Sequence, residues 1–391
     1  MKVIMLGPSL EEKGGMGQVE KLILERIPTE FEMQHITTWD GEPSQRSKLH
    51  MLKVFARALW CFLGELWRDR VDVVHIHLAE RGSIVRKSIL ALIAFAFHKP
   101  VIIHTHGCEF HLFYLTLPNP IKRAIAWLLQ RSTYTIVLSE SWKEFYVTHC
   151  GLKPEQTVVL LNPVAMPEHL LDRGEGDRQI DFIFLGKITP RKGIFEMLQA
   201  FAKLPSEQRE KVNLILAGTG EIERARELAQ ELNIESQVSF PGWINGEQRN
   251  ELLAKGDVFL LPSYNEGLPM ALLEGMSWGL APIVTPVGGI PEVVEDGETG
   301  LVVNPGDIEG LAQAMQKTIE NEPLRSALGR AARSRVASLD IHYYIEKLVE
   351  LYCGAVKSAD EGSKPKRLGL NLSADEKSEK ILSEGVLRSR R

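Results

Sequence analysis

Short apolar runs recur at 3–6, 71–76, 101–104 and 135–138, separated by longer stretches with helical spacing of their apolar residues. Such runs suit strands buried on both faces, and their alternation with helices predicts a parallel sheet with helices packed on it. A segment rich in Pro, Gly and charge, 162–177, interrupts the series. It then restarts at 182–185, 213–216, 258–261, 282–284 and 301–303. The chain is thus expected to be an α/β protein of two Rossmann-like, doubly wound domains facing across a cleft, over residues 1–168 and 169–338. Ligands of such sheets bind outside the carboxyl ends of the strands, so the cleft is the expected site. Residues 339–356 read as an amphipathic helix with Tyr344, Leu348 and Leu351 on one side, expected to pack back toward the first domain. The charged tail 357–391, poor in apolar residues, is expected to be disordered.

The length of 391 residues fits two domains and a tail, and 44% hydrophobic with 25% charged residues is a soluble globular composition. A net charge of −5 speaks against bulk nucleic-acid binding, and no nucleic-acid partner is expected. Cys61, Cys108, Cys150 and Cys353 are far apart and show no metal-ligand spacing, which suits a reduced, cytoplasmic protein. No signal-peptide pattern precedes the first strand, and the longest apolar run, 89–97, is too short to span a bilayer.

The densest candidate chemistry lies at 265–275, where Glu266 and Glu274 flank Gly267, Leu268, Pro269 and Met270. The run 257–262 reads as a buried strand, which puts Glu266 just past a strand end. Pro269 suits a helix start, so 270–278 reads as a short helix ending near Gly279, with Glu274 inside it. The unpaired N–H groups of such a helix start, after Gly267, form an anion site suited to a diphosphate. A hydrolytic carboxylate pair needs a separation of about 5 to 9.5 Å. Eight residues of helix would span about 12 Å. The spacing better suits one carboxylate on a sugar and the other further along the same ligand.

Three other places carry chemistry. Gly7, Gly14, Gly15 and Gly17 lie between the first strand and a helical pattern, where glycine lets backbone approach phosphate, although the order is not G-x-G-x-x-G. Lys187, Arg191 and Lys192 follow the first strand of the second domain, where cations can stabilise a departing diphosphate. His104 and His106 end a strand of the first domain. They are expected on opposite sides of it, so that no metal pair forms and only one faces the cleft, with His106 beside Gly107 the better candidate. The absence of a D-x-D sequence leaves a carboxylate-bound metal without obvious ligands, and no metal or cofactor is expected beyond a nucleotide-sugar substrate.

With these pieces in order, the chain resembles the family 4 retaining glycosyltransferases, also called glycosyl transferases group 1, whose GT-B fold pairs two Rossmann-like domains. The resemblance spans 2–355 and rests on 186–193, 216–220, 238–242, 266–274, 288–292 and 296–300. It implies a nucleotide sugar held mainly by the second domain and an acceptor on the first. By resemblance Glu266 contacts the donor sugar, Glu274 the ribose hydroxyls, and Lys187 and Lys192 the diphosphate. Gly15 and Gly17 close over the phosphates, His106 lies near the sugar ring, and Gly242 in the 240–243 region borders the base. Gly267, Leu268 and Met270 complete the donor element. The family commonly has Arg where this chain has Lys187, and lysine lacks the bidentate geometry of guanidinium on phosphate. The implied reaction is metal-independent hexosyl transfer with retention from a nucleotide sugar, UDP-linked in preference and GDP-mannose as a second possibility. A nucleotide-sugar 2-epimerase of the same architecture and a non-catalytic nucleotide-sugar-binding protein are the rival readings.

Two stretches of the first domain, 46–70 and 110–131, interleave aromatic and aliphatic residues with Lys and Arg, as interfacial helices do. Residues 1–170 carry 19 Lys/Arg against 17 Asp/Glu, about +2, and the remainder 27 against 34, about −7. A peripheral enzyme at the cytoplasmic membrane face, acting on a lipid-linked or polysaccharide acceptor, is therefore expected.

Overall fold

The computed structural model describes residues 1–11, 14–41, 47–68, 70–170 and 178–360. The first sheet contains β1 (Lys2–Gly7), β2 (Glu32–Thr37), β3 (Val73–Leu78), β4 (Val101–Thr105), β5 (Tyr134–Val137) and β6 (Thr157–Val159), in the order β2-β1-β3-β4-β5-β6. The second contains β7 (Ile180–Leu185), β8 (Val212–Ala217), β9 (Val238–Gly242), β10 (Val258–Leu261), β11 (Ala281–Val284) and β12 (Leu301–Val302), in the order β12-β11-β10-β7-β8-β9. Every pairing is parallel. The apolar strands account for this: β1 from Val3 onward and all of β3, β4, β5 and β10 are buried, as sheets covered by helices on both faces require.

The strand order reverses between β1 and β3 in the first sheet and between β7 and β10 in the second. The loops after β1, β3, β4, β7 and β10 therefore open at the two switch points, where doubly wound sheets take their ligands. Strands β2, β6 and β9 were not among the sequence-based expectations. In β2 only Ile36 is buried, and β6 is three residues long, so neither carries a long apolar run. Phe240-Pro-Gly242 interrupts the pattern of β9, and its register with β8 shifts between Ile215 and Ala217.

The last helix, Ile341–Asp360, extends through 357–360, which had been expected to belong to a disordered tail; residues 361–391 lie outside the described residues. Its buried face, including Tyr344, Leu348, Leu351 and Tyr352, joins Val3, Met5, Val73 and Ile102 in one core cluster. The C-terminal helix thus covers one face of the first sheet although it follows the second in sequence. Beside it the chain crosses between sheets, with Val164 N–H donating to Leu339 O at 2.9 Å and Ile341 N–H donating to Val164 O at 3.0 Å.

Candidate active site

The second sheet supplies the charged side of the cleft. After β7 the chain forms a short 3-10 turn, Pro190–Lys192, and Gly193 takes φ +69°. A Cβ there would lie 2.1 Å from Pro262 O, so only glycine lets this turn pack against the end of β10. The close approach brings Lys192 Nζ to 2.5 Å from Glu266 Oε1. Glu266 is buried, and its Oε1 also accepts from Ser263 Oγ at 2.6 Å, while Arg191 Nη1 lies 3.9 Å from its Oε2. Arg191 donates to Asn265 O and so ties the two loops together. Lys187, in contrast, is exposed on the loop following β7.

Pro269 precedes the helix Met270–Ser277, and no side chain caps that helix start. Glu274 lies inside the helix with its side chain 13% exposed and 3.1 Å from Arg249 Nη1. Gln18, from the helix Gly15–Arg26 of the first domain, also donates to Glu274, an interaction across the two halves. Burial pushes the Glu274 carboxyl up to about 7, with Arg249 and Gln18 pulling the other way. Leu268 and Met270 are buried, and Met270 packs into the first domain's core cluster. Both side chains thus pack inside the protein, and the part of this stretch open to a ligand is its backbone N–H groups.

Gly15 begins the Gly15–Arg26 helix and a Cβ on it would lie 3.5 Å from Met270 Cγ, so it sits where the two halves meet. Gly17 is buried in the first turn of that helix. Gly267 approaches the opposite wall: a Cβ there would meet Leu138 Cδ1 at 3.2 Å and His106 O at 3.7 Å. Gly242 ends β9 with φ +75° and open space beside it. The fold therefore brings His106, Lys192, Glu266, Gly267, Gly15 and Glu274 to facing loops and helices, while Lys187 and Gly242 lie toward the open side.

One expectation about the first domain fails. Residues two apart in a strand share a face, so His104 and His106 do not point to opposite sides. Their ring centroids are 4.1 Å apart. His75 and His77 of β3 lie on the same face, and His77 pairs in register with His104. His106 Nε2 is 2.9 Å from His77 Nδ1, and burial, with Lys87 nearby, pushes its pKa down to about 3. A neutral imidazole therefore reaches the cleft. Sequence reasoning also passed over Gln18, Arg249, Ser263 and Glu80. A Cβ on Gly107 would lie 2.1 Å from Glu80 Oε2, so Glu80 borders His106, and burial raises its carboxyl pKa. Only Ser263 carried a signal, its place three residues before Glu266. The others depend on contacts between distant segments.

Two parallel α/β sheets with their switch points opposed define the GT-B fold. Family models match in the same two halves: Glycosyltransferase Family 4 over residues 28–166 and Glycosyl transferases group 1 over residues 168–335. The chain belongs to the family 4, group 1 glycosyltransferases. It is 29% identical over 297 residues to N-acetyl-alpha-D-glucosaminyl L-malate synthase of Bacillus anthracis, covering 73% of this chain and 74% of that protein. It is 25% identical over 310 residues to the UDP-Gal:alpha-D-GlcNAc-diphosphoundecaprenol alpha-1,3-galactosyltransferase of Escherichia coli, covering 74% and 77%. The fold matches the crystal structure of Anabaena Alr3699/HepE in complex with UDP-glucose, with a TM-score of 0.70, 18% identity, and 90% and 98% of the two chains covered.

Proposed function

We propose that this glycosyltransferase moves a hexosyl unit, with retention and without a metal on the diphosphate, from a nucleotide sugar to a lipid-linked or polysaccharide acceptor. The observation that carries this reading is the Ser263, Arg191, Lys192 and Glu266 cluster at the second sheet's switch point, facing His106. UDP is the favoured donor nucleotide, because the Escherichia coli relative is named for UDP-Gal and Alr3699/HepE was solved with UDP-glucose. GDP-mannose is the second candidate.

In this scheme Glu266 holds hydroxyls of the donor sugar, while Glu274 accepts from the ribose. Lys192 turns from Glu266 to the diphosphate, joined by Lys187 and the uncapped N–H groups of the Met270–Ser277 helix. Gly15 and Gly17 close from the other side, and Gly242 lies beside the base. The C1–oxygen bond to the diphosphate breaks as the acceptor oxygen bonds to C1 on the same face. The acceptor's proton passes to a leaving phosphate oxygen, and the cations stabilise the charge that builds there.

The acceptor side supports a membrane-associated substrate. The helix Lys48–Trp67 buries Ala58, Phe62 and Leu66, yet Trp60 and Trp67 are 80% and 82% exposed, beside exposed Lys53, Arg57 and Arg68. Leu112, Leu115, Ile121 and Trp127 are exposed in the neighbouring helices Phe110–Thr116 and Asn119–Gln130. No helix among the described residues is long and apolar enough to cross a membrane, so the proposed attachment is peripheral, on the cytoplasmic face. A panel of UDP-, GDP- and ADP-sugars, with and without membrane extract, tests the whole reading. Transfer that requires the extract supports it. Epimerised or freed sugar without extract would instead support the epimerase, and binding without turnover a silent binding protein.

A further inference from the structure

Beneath the cleft, the same-face histidines of β3 and β4 form a cluster that the transfer scheme does not use. His75, His77 and His104 are all 0% exposed, and one ring nitrogen from each lies within 4.8 Å of the other two. Their unpartnered atoms are His75 Nε2, His77 Nε2 and both nitrogens of His104. Several bare, buried imidazole nitrogens in one place are costly unless something binds them. The opposite nitrogens are held: His75 Nδ1 lies 2.7 Å from the Tyr352 hydroxyl, and His77 Nδ1 lies 2.9 Å from His106 Nε2. In His75 and His77 this division, one nitrogen fixed by a partner and the other free, is how metal-binding histidines are oriented, and His104 has both nitrogens open to an ion.

We propose that His75, His77 and His104 bind a divalent transition-metal ion, zinc above all, as a structural clamp in the first domain. Three neutral imidazoles are a zinc donor set, with water able to complete a tetrahedron. Tetrahedral zinc needs ligand nitrogens about 3.4 Å apart at bond lengths of about 2.1 Å, so small ring rotations close the present spread. Glu20 is fully buried beside the site: its Oε1 lies 3.5 Å from His77 Nδ1 with no hydrogen-bond partner, while its Oε2 pairs with His35 Nε2 at 2.9 Å. It offsets Lys87, the buried cation whose Nζ donates to Leu6 O at 2.5 Å. A Cβ on Gly7 would lie 2.0 Å from the Glu20 carboxylate oxygens, so glycine at the end of β1 makes room for that acid. The ion would tie β3 to β4 and, through Tyr352, both to the C-terminal helix. It lies one ring behind His106, and metal-independent transfer to the acceptor is unaffected by the assignment.

The test uses the full chain, stripped with a chelator, incubated with Zn2+ and desalted before metal is counted by elemental analysis. About one zinc per chain should remain, and zinc should raise the thermal midpoint by on the order of 5 °C. His104→Gln should lose the ion, and Tyr352→Phe should weaken retention by roughly 10- to 100-fold. Should His104→Gln fail to fold, the Co2+-loaded wild type decides, because nitrogen-only ligation gives visible ligand-field bands without a thiolate charge-transfer band. Less than about a tenth of an equivalent in the wild type, full retention by folded His104→Gln, or a thiolate band in the cobalt protein would each overturn the proposal.

Discussion

The two walls of the cleft handle charge in opposite ways. On the second-domain wall, Glu266 and Glu274 are each matched by cations from other segments, Lys192 and Arg191 for one and Arg249 for the other. On the first-domain wall, burial drives His75 and His106 to about 3 and holds His77 and His104 well below the ordinary imidazole value. The second wall is suited to a charged nucleotide sugar. The first presents the neutral His106 imidazole to the cleft with the other three rings buried behind it, an arrangement that does not compete for the diphosphate and suits an uncharged sugar face.

The largest test of this contrast is Lys192→Ala. Removing a cation from the leaving group should lower kcat by roughly 10²- to 10³-fold, measured with the donor found by the panel. Unchanged turnover would remove Lys192 from the diphosphate.

Glu274→Gln should raise donor KM by roughly 10-fold or more, the worth of a hydrogen bond to a charged group. Its pH dependence sharpens the point. The folded-state pKa of about 7 stands above the ordinary 4.5, so this carboxyl contributes stability below about pH 4.5 that is lost as pH rises through 7. The ionised form is the better acceptor for ribose hydroxyls, so donor affinity should rise from pH 6 to pH 8, and the Gln variant should flatten that rise. An equal slope in both proteins would assign the titration elsewhere.

Gly7→Ala addresses the neutral wall. The methyl would meet the Glu20 carboxylate, and a loss of about 1–3 kcal/mol in urea unfolding is expected. Wild-type stability would mean that Glu20 swings clear at no cost. The smallest effect belongs to the outer face: Trp60→Ser with Trp67→Ser should weaken sedimentation with anionic liposomes several-fold at low salt and leave stability nearly unchanged. Equal sedimentation would move the membrane contact to another surface.

Local signals made the second wall readable in the chain. Lys187 to Lys192 follow one strand, Glu266 to Glu274 follow another, and each motif is continuous, so strand-end logic places both at the cleft. The helix read at 270–278 is observed at Met270–Ser277 for the same reason: Pro269 starts it and Gly279 stops it. The ion pair between Lys192 and Glu266 was not readable, because it depends on β7 and β10 being neighbours across a switch point.

The first wall shows the other limit. Strand period puts His75 with His77 and His104 with His106, and the correct same-face rule was available from each strand alone. That β3 lies beside β4 in a register pairing His77 with His104, and that Tyr352 returns from the chain's far end to hold His75, is set by sheet assembly. Hydrophobic periodicity and glycine placement are local properties, so composition and order dictate two α/β units and the loops that bear the chemistry. Partnership between buried polar groups comes from segments brought together when the apolar faces are covered. The tertiary structure alone therefore decided that Gln18 reaches Glu274 and that three buried imidazoles stack behind the one that reaches the cleft.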